Sequence, residues 1–518
     1  MLPYGSRSVQ AAVGAGRASG ARSPAPGGAA GGRAGGRDRP RARPAGWVGG
    51  EAVSRGAVAG WGHDDRRTHP ASPAPGVARD RLPSRAAGRA RRGPPPRRGH
   101  AMTAAESNGA GGERPAEVAA RRRALERIDA FAGRLTELSR SLHADPEVAF
   151  AEHRAAGRLA ALLEEAGFAV RRGPYDLPTA LTASYGTGPL TIGVCAEYDA
   201  LPELGHACGH NVICAASAGA AIGLAAVADE LGFAVKLLGT PAEEAGGGKV
   251  LMLDRGAFDD VTVAMMAHPG PADDIDPRSS TTSVARFDVT FTGRASHAAL
   301  APQLGINAGD AAVVAQVAVG QLRQQLPDGY RVAGIVREGG AQSNIIPERT
   351  VLSFEVRTPT AEELAALRER VADCFRGAAL ATGCAVAITA TQPDYLDLRN
   401  DAWLMARYAD GLRAAAGRSP AEPAGPPRRI GASTDMGNVT RALPAIHPHL
   451  GLIGSSGTPH TREFAEWTGG AAADDAVLAA ARAMAWAGIA LAADEERRAH
   501  YLDLRAAGVG GAATSTDG

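Results

Sequence analysis

Two short segments hold residues whose types and spacing suit metal chemistry: HACGHN at 206–211 and TPAEEAGGG at 240–248. The first sets a thiol and an imidazole two positions apart, at Cys208 and His210, and the second sets two carboxylates side by side, at Glu243 and Glu244. Thiolate and imidazole are donors for Zn²⁺, and carboxylate widens the choice to Mn²⁺. Adjacent carboxylates repel unless an ion or a proton relieves them, so one can hold metal while the other works as a base. His268 in AHPG and His460 in GTPHTREF add two imidazoles. A C-x-H pair alone fits a buried cysteine beside a capping histidine equally well, and each lone histidine fits a structural role. The five together point to a metal site. Cys208 and His210 open a helical run, where main-chain N–H groups and the helix dipole favour a thiolate. An extended segment there would aim both donors at one ion.

The elements that hold these residues are legible from periodicity. Apolar runs such as LTIGVCAEY, VKLLGT and VAMMAH alternate with helix-like stretches such as NVICAASAGAAIGLAAVADEL. That alternation predicts an α/β fold with a mixed, mostly parallel sheet. Glu197, Asp199, Glu243, Glu244 and His268 all follow apolar runs, at the strand ends where open α/β sheets bind ligands. Residues 118–143 and 153–168 repeat apolar positions three and four apart, as surface helices do. From 283 to 392 the order becomes β-α-β-β-α-β, a ferredoxin-like domain inserted into a discontinuous larger one. The expected division is 118–282 and 393–497 for the larger domain, joined to the insert by linker strands near 270–283 and 392–400. A flexible tail follows from 498 to 518.

Residues 1–117 read as a disordered extension, rich in Gly, Pro, Ala and Arg and without an apolar period. Up to position 100 there are 19 Arg, no Lys and 5 acidic residues, so the net charge of +1 hides opposite charges on the two parts of the chain. A basic arm can bind nucleic acid. This one lacks interleaved aromatics, so no nucleic-acid partner is expected, and Met102 is a plausible true start. Neither a signal peptide nor an apolar run of about 18 residues is seen, so no membrane association is expected. Five cysteines, an odd number, give no disulfide framework, and a cytoplasmic location is the expectation.

The pieces AEYDALPELGHACGHN, LGTPAEEAGGGK, MAHPG, GRASHAA, QSNIIPE, STDMGNVT and PHTREF, spread from about 196 to 464, make the chain similar to the M20 family of metallopeptidases and amidohydrolases. The resemblance runs from about 120 to 495. It implies metal ligands at Cys208, His210, Glu244, His268 and His460, and a general base at Glu243. It also implies a histidine, His297, that reaches the substrate from the inserted lid domain, often in the partner subunit. Asn344 and Arg357 are the implied substrate-binding residues of that lid. Asp199 stands beside the ligands, where it orients one of them or caps a loop. The implied cofactor is Zn²⁺ or Mn²⁺, with Co²⁺ open, as one or two ions. The implied assembly is a homodimer through the lid, and the implied substrate is an N-acyl amino acid, a dipeptide or an aryl-amide conjugate. Many relatives read CGHD where this chain has Asn211. A catalytically silent metal-binding or regulatory protein of the same fold is the alternative; it gives no physical reason for keeping Glu243 beside a full ligand set.

Overall fold

The computed structural model describes residues 115–508. The expected disordered extension therefore lies, up to residue 114, outside the described residues, and 115–117 already belong to a helix. The elements of the larger domain begin with α1 (Pro115–Ala144), α2 (His153–Glu165), β1 (Ala169–Arg172), β2 (Leu181–Tyr185) and β3 (Leu190–Glu197). They continue with α3 (His210–Leu231), β4 (Phe233–Thr240), α4 (Gly248–Asp254), β5 (Val263–Met265) and β6 (His268–Gly270). The inserted domain holds β7 (Ser283–Thr292), α5 (Ala308–Arg323), β8 (Arg331–Glu338), β9 (Arg349–Thr358), α6 (Ala361–Thr382) and β10 (Ala385–Ala390). The larger domain then resumes with α7 (Ala402–Ala415), α8 (Met436–Ala442), β11 (Ala445–Ile446), β12 (His449–Gly451), α9 (Arg462–Thr468), α10 (Ala471–Ala493) and α11 (Glu495–Ala506).

The main sheet runs β1-β2-β4-β3-β5-β11. The ladders from β4 through β3 and β5 to β11 are parallel, and those of β1 with β2 and β2 with β4 antiparallel. Every residue of β3 is buried, as a central strand covered on both faces requires. The chain leaves β3 through α3 to β4 on one side, then crosses to β5 on the other. The carboxyl end of β3 is therefore a topological switch point, the place where open α/β sheets form a ligand crevice. One face is covered by α1, α3 and α10. The other is covered by the cluster that includes Met252 of α4 and Val439 of α8.

Among the described residues two helices, α3 and α10, are long and apolar enough to cross a membrane, with mean hydropathy 1.8 and 1.7. This corrects the expectation that no such stretch exists. The apolar windows are 94% and 78% buried in the core, which accounts for their composition. The expected tail from 498 is also corrected. Helix α11 continues to Ala506, and buried Tyr501 donates its O–H to Asp401 at 2.7 Å. The expected linker strands appear only as isolated bridges, Asp274 with His449, Ser280 with Arg429 and Val284 with Tyr395.

The inserted sheet is antiparallel in the order β10-β7-β9-β8, the split βαβ arrangement. Burial alternates from Ala285 to Phe291 and from Leu352 to Thr358. Phe287, Val289, Leu352, Phe354 and Val356 point into the core under α5 and α6, while Arg286, Glu355 and Arg357 stand on the opposite face. A capping box at Thr360 and Glu363 starts α6. Val313 and Val317 of α5 and Ile335 and Val336 of the edge strand β8 are exposed.

Candidate metal centre and active site

The switch point gathers the donors. Cys208 lies in a turn, Gly209 takes a left-handed conformation at φ 87°, and His210 begins α3. The segment is thus a turn leading into the helix, and the two donors meet without the extended conformation. Only glycine suits position 209, because a Cβ there would also strike Pro269, the neighbour of His268. Glu243 and Glu244 follow β4, His268 opens β6, and His460 sits in the loop before α9. At φ 68°, His460 occupies a region unusual for a side-chain-bearing residue, and its N–H is held by the Ala207 carbonyl at 2.8 Å.

Three overlapping groups share donor atoms within 4.8 Å of one another: Cys208, His210 and His268; Cys208, Glu244 and His460; and His210, Glu243 and Glu244. Cys208 Sγ lies 3.5 Å from His268 Nε2, and His460 Nε2 lies 3.5 Å from Glu244 Oε2. Such separations are those of donors around ions at bond lengths of about 2.0–2.3 Å. The tautomers agree. His268 Nδ1 donates to the Pro269 carbonyl at 2.7 Å, and His210 Nδ1 to the Asp199 carbonyl and carboxylate, both at 2.9 Å. A carbonyl only accepts, so Nε2 is the nitrogen that each ring turns to the cluster for a metal. His210 Nε2 and Glu244 Oε1 are buried without a hydrogen-bond partner, as atoms meant for an ion would be.

Burial and then the Glu244 charge push the Cys208 thiol well up, so the expected helix-dipole effect is outweighed by desolvation. Burial likewise raises Glu243, aided by the charges of Glu197, Glu244 and Asp435, and raises Glu244. A divalent cation stabilises all three as anions. Burial drives His268 down to about 4, keeping its imidazole neutral and able to bind metal.

Asp199 serves both of its expected roles: one oxygen orients His210, and the other accepts the main-chain N–H of Glu244 at 2.9 Å. Glu152 accepts the N–H of Ala242 at 2.8 Å, just before the carboxylate pair. Burial, then the Asp199 charge, raise Glu152 from its ordinary 4.5 to about 7. A raised carboxyl contributes stability that is complete below about pH 4.5 and lost as pH rises through about 7. Glu152→Gln, which cannot ionise, is expected to flatten urea-unfolding stability over that window, by roughly 3 kcal/mol relative to the parent. Equal pH slopes in the two proteins would show that Glu152 does not carry this dependence.

The donors floor a cleft of ≈ 540 Å³ whose wall includes Arg286, Arg357 and Arg428. Arg286 and Arg357 share Glu355, at 2.7 and 2.5 Å, and Arg357 also reaches Ser433 at 2.9 Å. Tyr395 donates to the Glu243 carbonyl at 2.6 Å.

Residues 280–382 match the peptidase dimerisation domain of the M20 type. A mouse Xaa-Arg dipeptidase is 40% identical over 402 residues, covering 72% of this chain and 91% of that protein. The chain belongs to the M20 family. One of the p-aminobenzoyl-glutamate hydrolase subunits of Escherichia coli is 32% identical over 277 residues, covering 49% of this chain and 57% of its own. Among solved structures, a Bacillus subtilis protein described as a dinuclear metal binding peptidase of the M20 family aligns at a TM-score of 0.50 and 23% identity, over 68% of this chain and 98% of its own. An aminobenzoyl-glutamate utilization protein from Klebsiella pneumoniae aligns at 0.52 and 20% identity, over 69% of this chain and 97% of its own. This M20 chain is thus an enzyme, a hydrolase acting on amide C–N bonds.

Of the residues read from the sequence, the fold brings together Cys208, His210, Glu243, Glu244, His268 and His460, with Asp199 behind and Arg357 on the cleft wall. It does not bring His297 or Asn344 there. His297 is on an exposed turn where its Nδ1 accepts from the N–H groups of Ala299 and Leu300, and its strand bridges Ile345, next to Asn344. The M20 site also contains residues to which the sequence reading gave no role, Glu197 having been placed only at a strand end. His447 and His449 pack tilted against His268, with ring centroids 5.4 and 5.6 Å away, and Lys249, Glu197 and Asp435 lie behind the donors. Lys249 carried a signal: it is one of two lysines in the chain and directly follows the Gly-rich turn after the carboxylates. His447 and His449 carried none, being loop and strand histidines like many others.

Proposed function

We propose that this chain is a metal-dependent hydrolase of dipeptides or acylated amino acids whose departing amine carries a free carboxylate. The observation that supports this most directly is the convergence of Cys208, His210, Glu244, His268 and His460 around one region, with Glu243 beside them. A bound divalent ion supplies Lewis acidity, lowering the pKa of a water from 15.7 toward about 7 and polarising the amide carbonyl. Zn²⁺ suits the thiolate, while the carboxylate keeps Mn²⁺ and Co²⁺ in play, and the donor number allows one or two ions. Glu243 accepts the proton of the attacking water and returns it to the departing nitrogen. Tyr395 holds the Glu243 main chain, and Asp199 holds both His210 and the Glu244 backbone, so the base and the donors share one rigid frame.

The named relatives act on Xaa-Arg dipeptides and p-aminobenzoyl-glutamate. The two departing residues differ in side-chain charge and share an α-carboxylate. Arg286 and Arg357 bring two guanidiniums to one carboxylate, Glu355, and Arg428 adds a third to the wall. That surplus suits the carboxylate common to both substrates. A homodimer through the inserted domain would cover the exposed valines of α5 and the edge of β8. It would carry His297 and Asn344 to the partner's cleft, where His297 stabilises the developing oxyanion.

The test is a hydrolysis panel of Xaa-Arg dipeptides, N-acetyl amino acids and p-aminobenzoyl-glutamate with added Zn²⁺, Mn²⁺ or Co²⁺, each substrate paired with its carboxamide. Amidation is expected to lower kcat/KM by roughly 10- to 100-fold, the loss of a charged hydrogen bond. Equal rates for acid and amide would remove the carboxylate requirement, and no hydrolysis with any metal would remove the activity.

A further inference from the structure

Behind the donor cluster lies a group of buried charges that neither the motifs nor the relatives assign. Glu197 closes β3, Lys249 lies in the first turn of α4, and Asp435 precedes α8; all three are fully buried. Lys249 Nζ donates to Glu197 Oε1 at 2.5 Å and to Asp435 Oδ1 at 2.7 Å, and the Lys249 main-chain N–H donates to Asp435 Oδ2 at 2.9 Å. Both oxygens of Asp435 are therefore engaged, and one of Glu197. The other, Glu197 Oε2, has no hydrogen-bond partner and lies 3.3 Å from His210 Nε2, which has none either.

His210 Nδ1 faces the Asp199 carbonyl, so Nε2 is the nitrogen left for a metal. Glu197 Oε2, whose sister oxygen is held by the Lys249 ammonium, faces that nitrogen at 3.3 Å, and a cation placed between these two buried, partnerless atoms satisfies both. The ammonium has a second consequence. Glu197, Glu243 and Asp435 alone could hold an ion, with donor atoms within 4.8 Å, and Lys249 already supplies a cation to two of them.

We propose that Glu197 is a further donor of the metal centre, sharing the ion held by His210, and that Lys249 is the positioning residue that fixes its carboxylate and leaves one oxygen free. The inference rests on the metal reading of the site given above. In a crystal structure of the Zn²⁺-loaded protein, Glu197 Oε2 is expected within about 2.0–2.2 Å of an ion. A distance beyond about 3 Å from every ion would overturn the proposal. Glu197→Gln turns an N–H group toward His210 Nε2 and is expected to raise the Zn²⁺ dissociation constant, read by chelator competition, at least about tenfold, and to change the Co²⁺ absorption spectrum. An unchanged constant and spectrum in a folded variant would sink the idea. Should the variant not fold, the metal-loaded parent structure decides alone. A parent that binds no metal would instead refute the reading of the centre itself.

Discussion

Glu243→Gln is expected to retain the parent's metal content and to lose about 10²- to 10⁴-fold in kcat, the contribution of positioned proton transfer. The side chain is buried at the edge of the donor cluster, and glutamine preserves its volume while removing the proton acceptor. Burial and then the charges of Glu197, Glu244 and Asp435 raise this acid, and a bound cation that offsets those charges leaves it ionised and able to accept a proton. Cys208→Ser should behave oppositely, losing metal occupancy first and turnover as a result, because a hydroxyl is a far weaker ligand than a thiolate. Metal content by plasma mass spectrometry and steady-state kinetics on the same samples separate the two outcomes. A Gln variant with bound metal and unreduced kcat would strip Glu243 of its role.

The second large effect concerns His297. In its own chain this residue stands on an exposed turn and does not line the cleft. On the proposed reading, it acts in the partner's cleft. His297→Ala and Glu243→Gln should each be nearly inactive as homodimers. Mixed after dissociation, they should recover roughly a quarter of the parent's activity, since random pairing makes half the dimers mixed, and a two-fold dimer of that kind rebuilds one of its two sites. Verified heterodimers without activity would exclude exchange of His297 between subunits.

The motifs around Cys208, Glu243 and His268 were legible because each is short and follows a strand, so local order alone places it at one sheet edge. The β-α-β-β-α-β insert was legible for a similar reason: its core residues alternate strictly, from Phe287 to Val289 and from Leu352 to Val356. Less legible were features set by burial. Helices α3 and α10 have a composition that also suits a membrane, and only their mutual packing shows what the apolar surface faces. The tail after 498 reads as polar, with EERR opening α11, yet the single Tyr501 anchors it through Asp401. Cys208 at a helix start suggests a lowered thiol pKa, and desolvation reverses that sign.

By itself the sequence determined the types of donor, their order and the strands that carry them, since period and residue chemistry are local properties. Tertiary structure decided which donors meet. It turned Nε2 of His210 and His268 to the cluster by engaging Nδ1 with main-chain carbonyls, brought Lys249 between Glu197 and Asp435, placed three guanidiniums on the cleft wall, and kept His297 out of its own cleft. The physical reason is that hydrogen-bond partners, desolvation and Coulomb interactions act through space, across 186 positions in the case of Lys249 and Asp435.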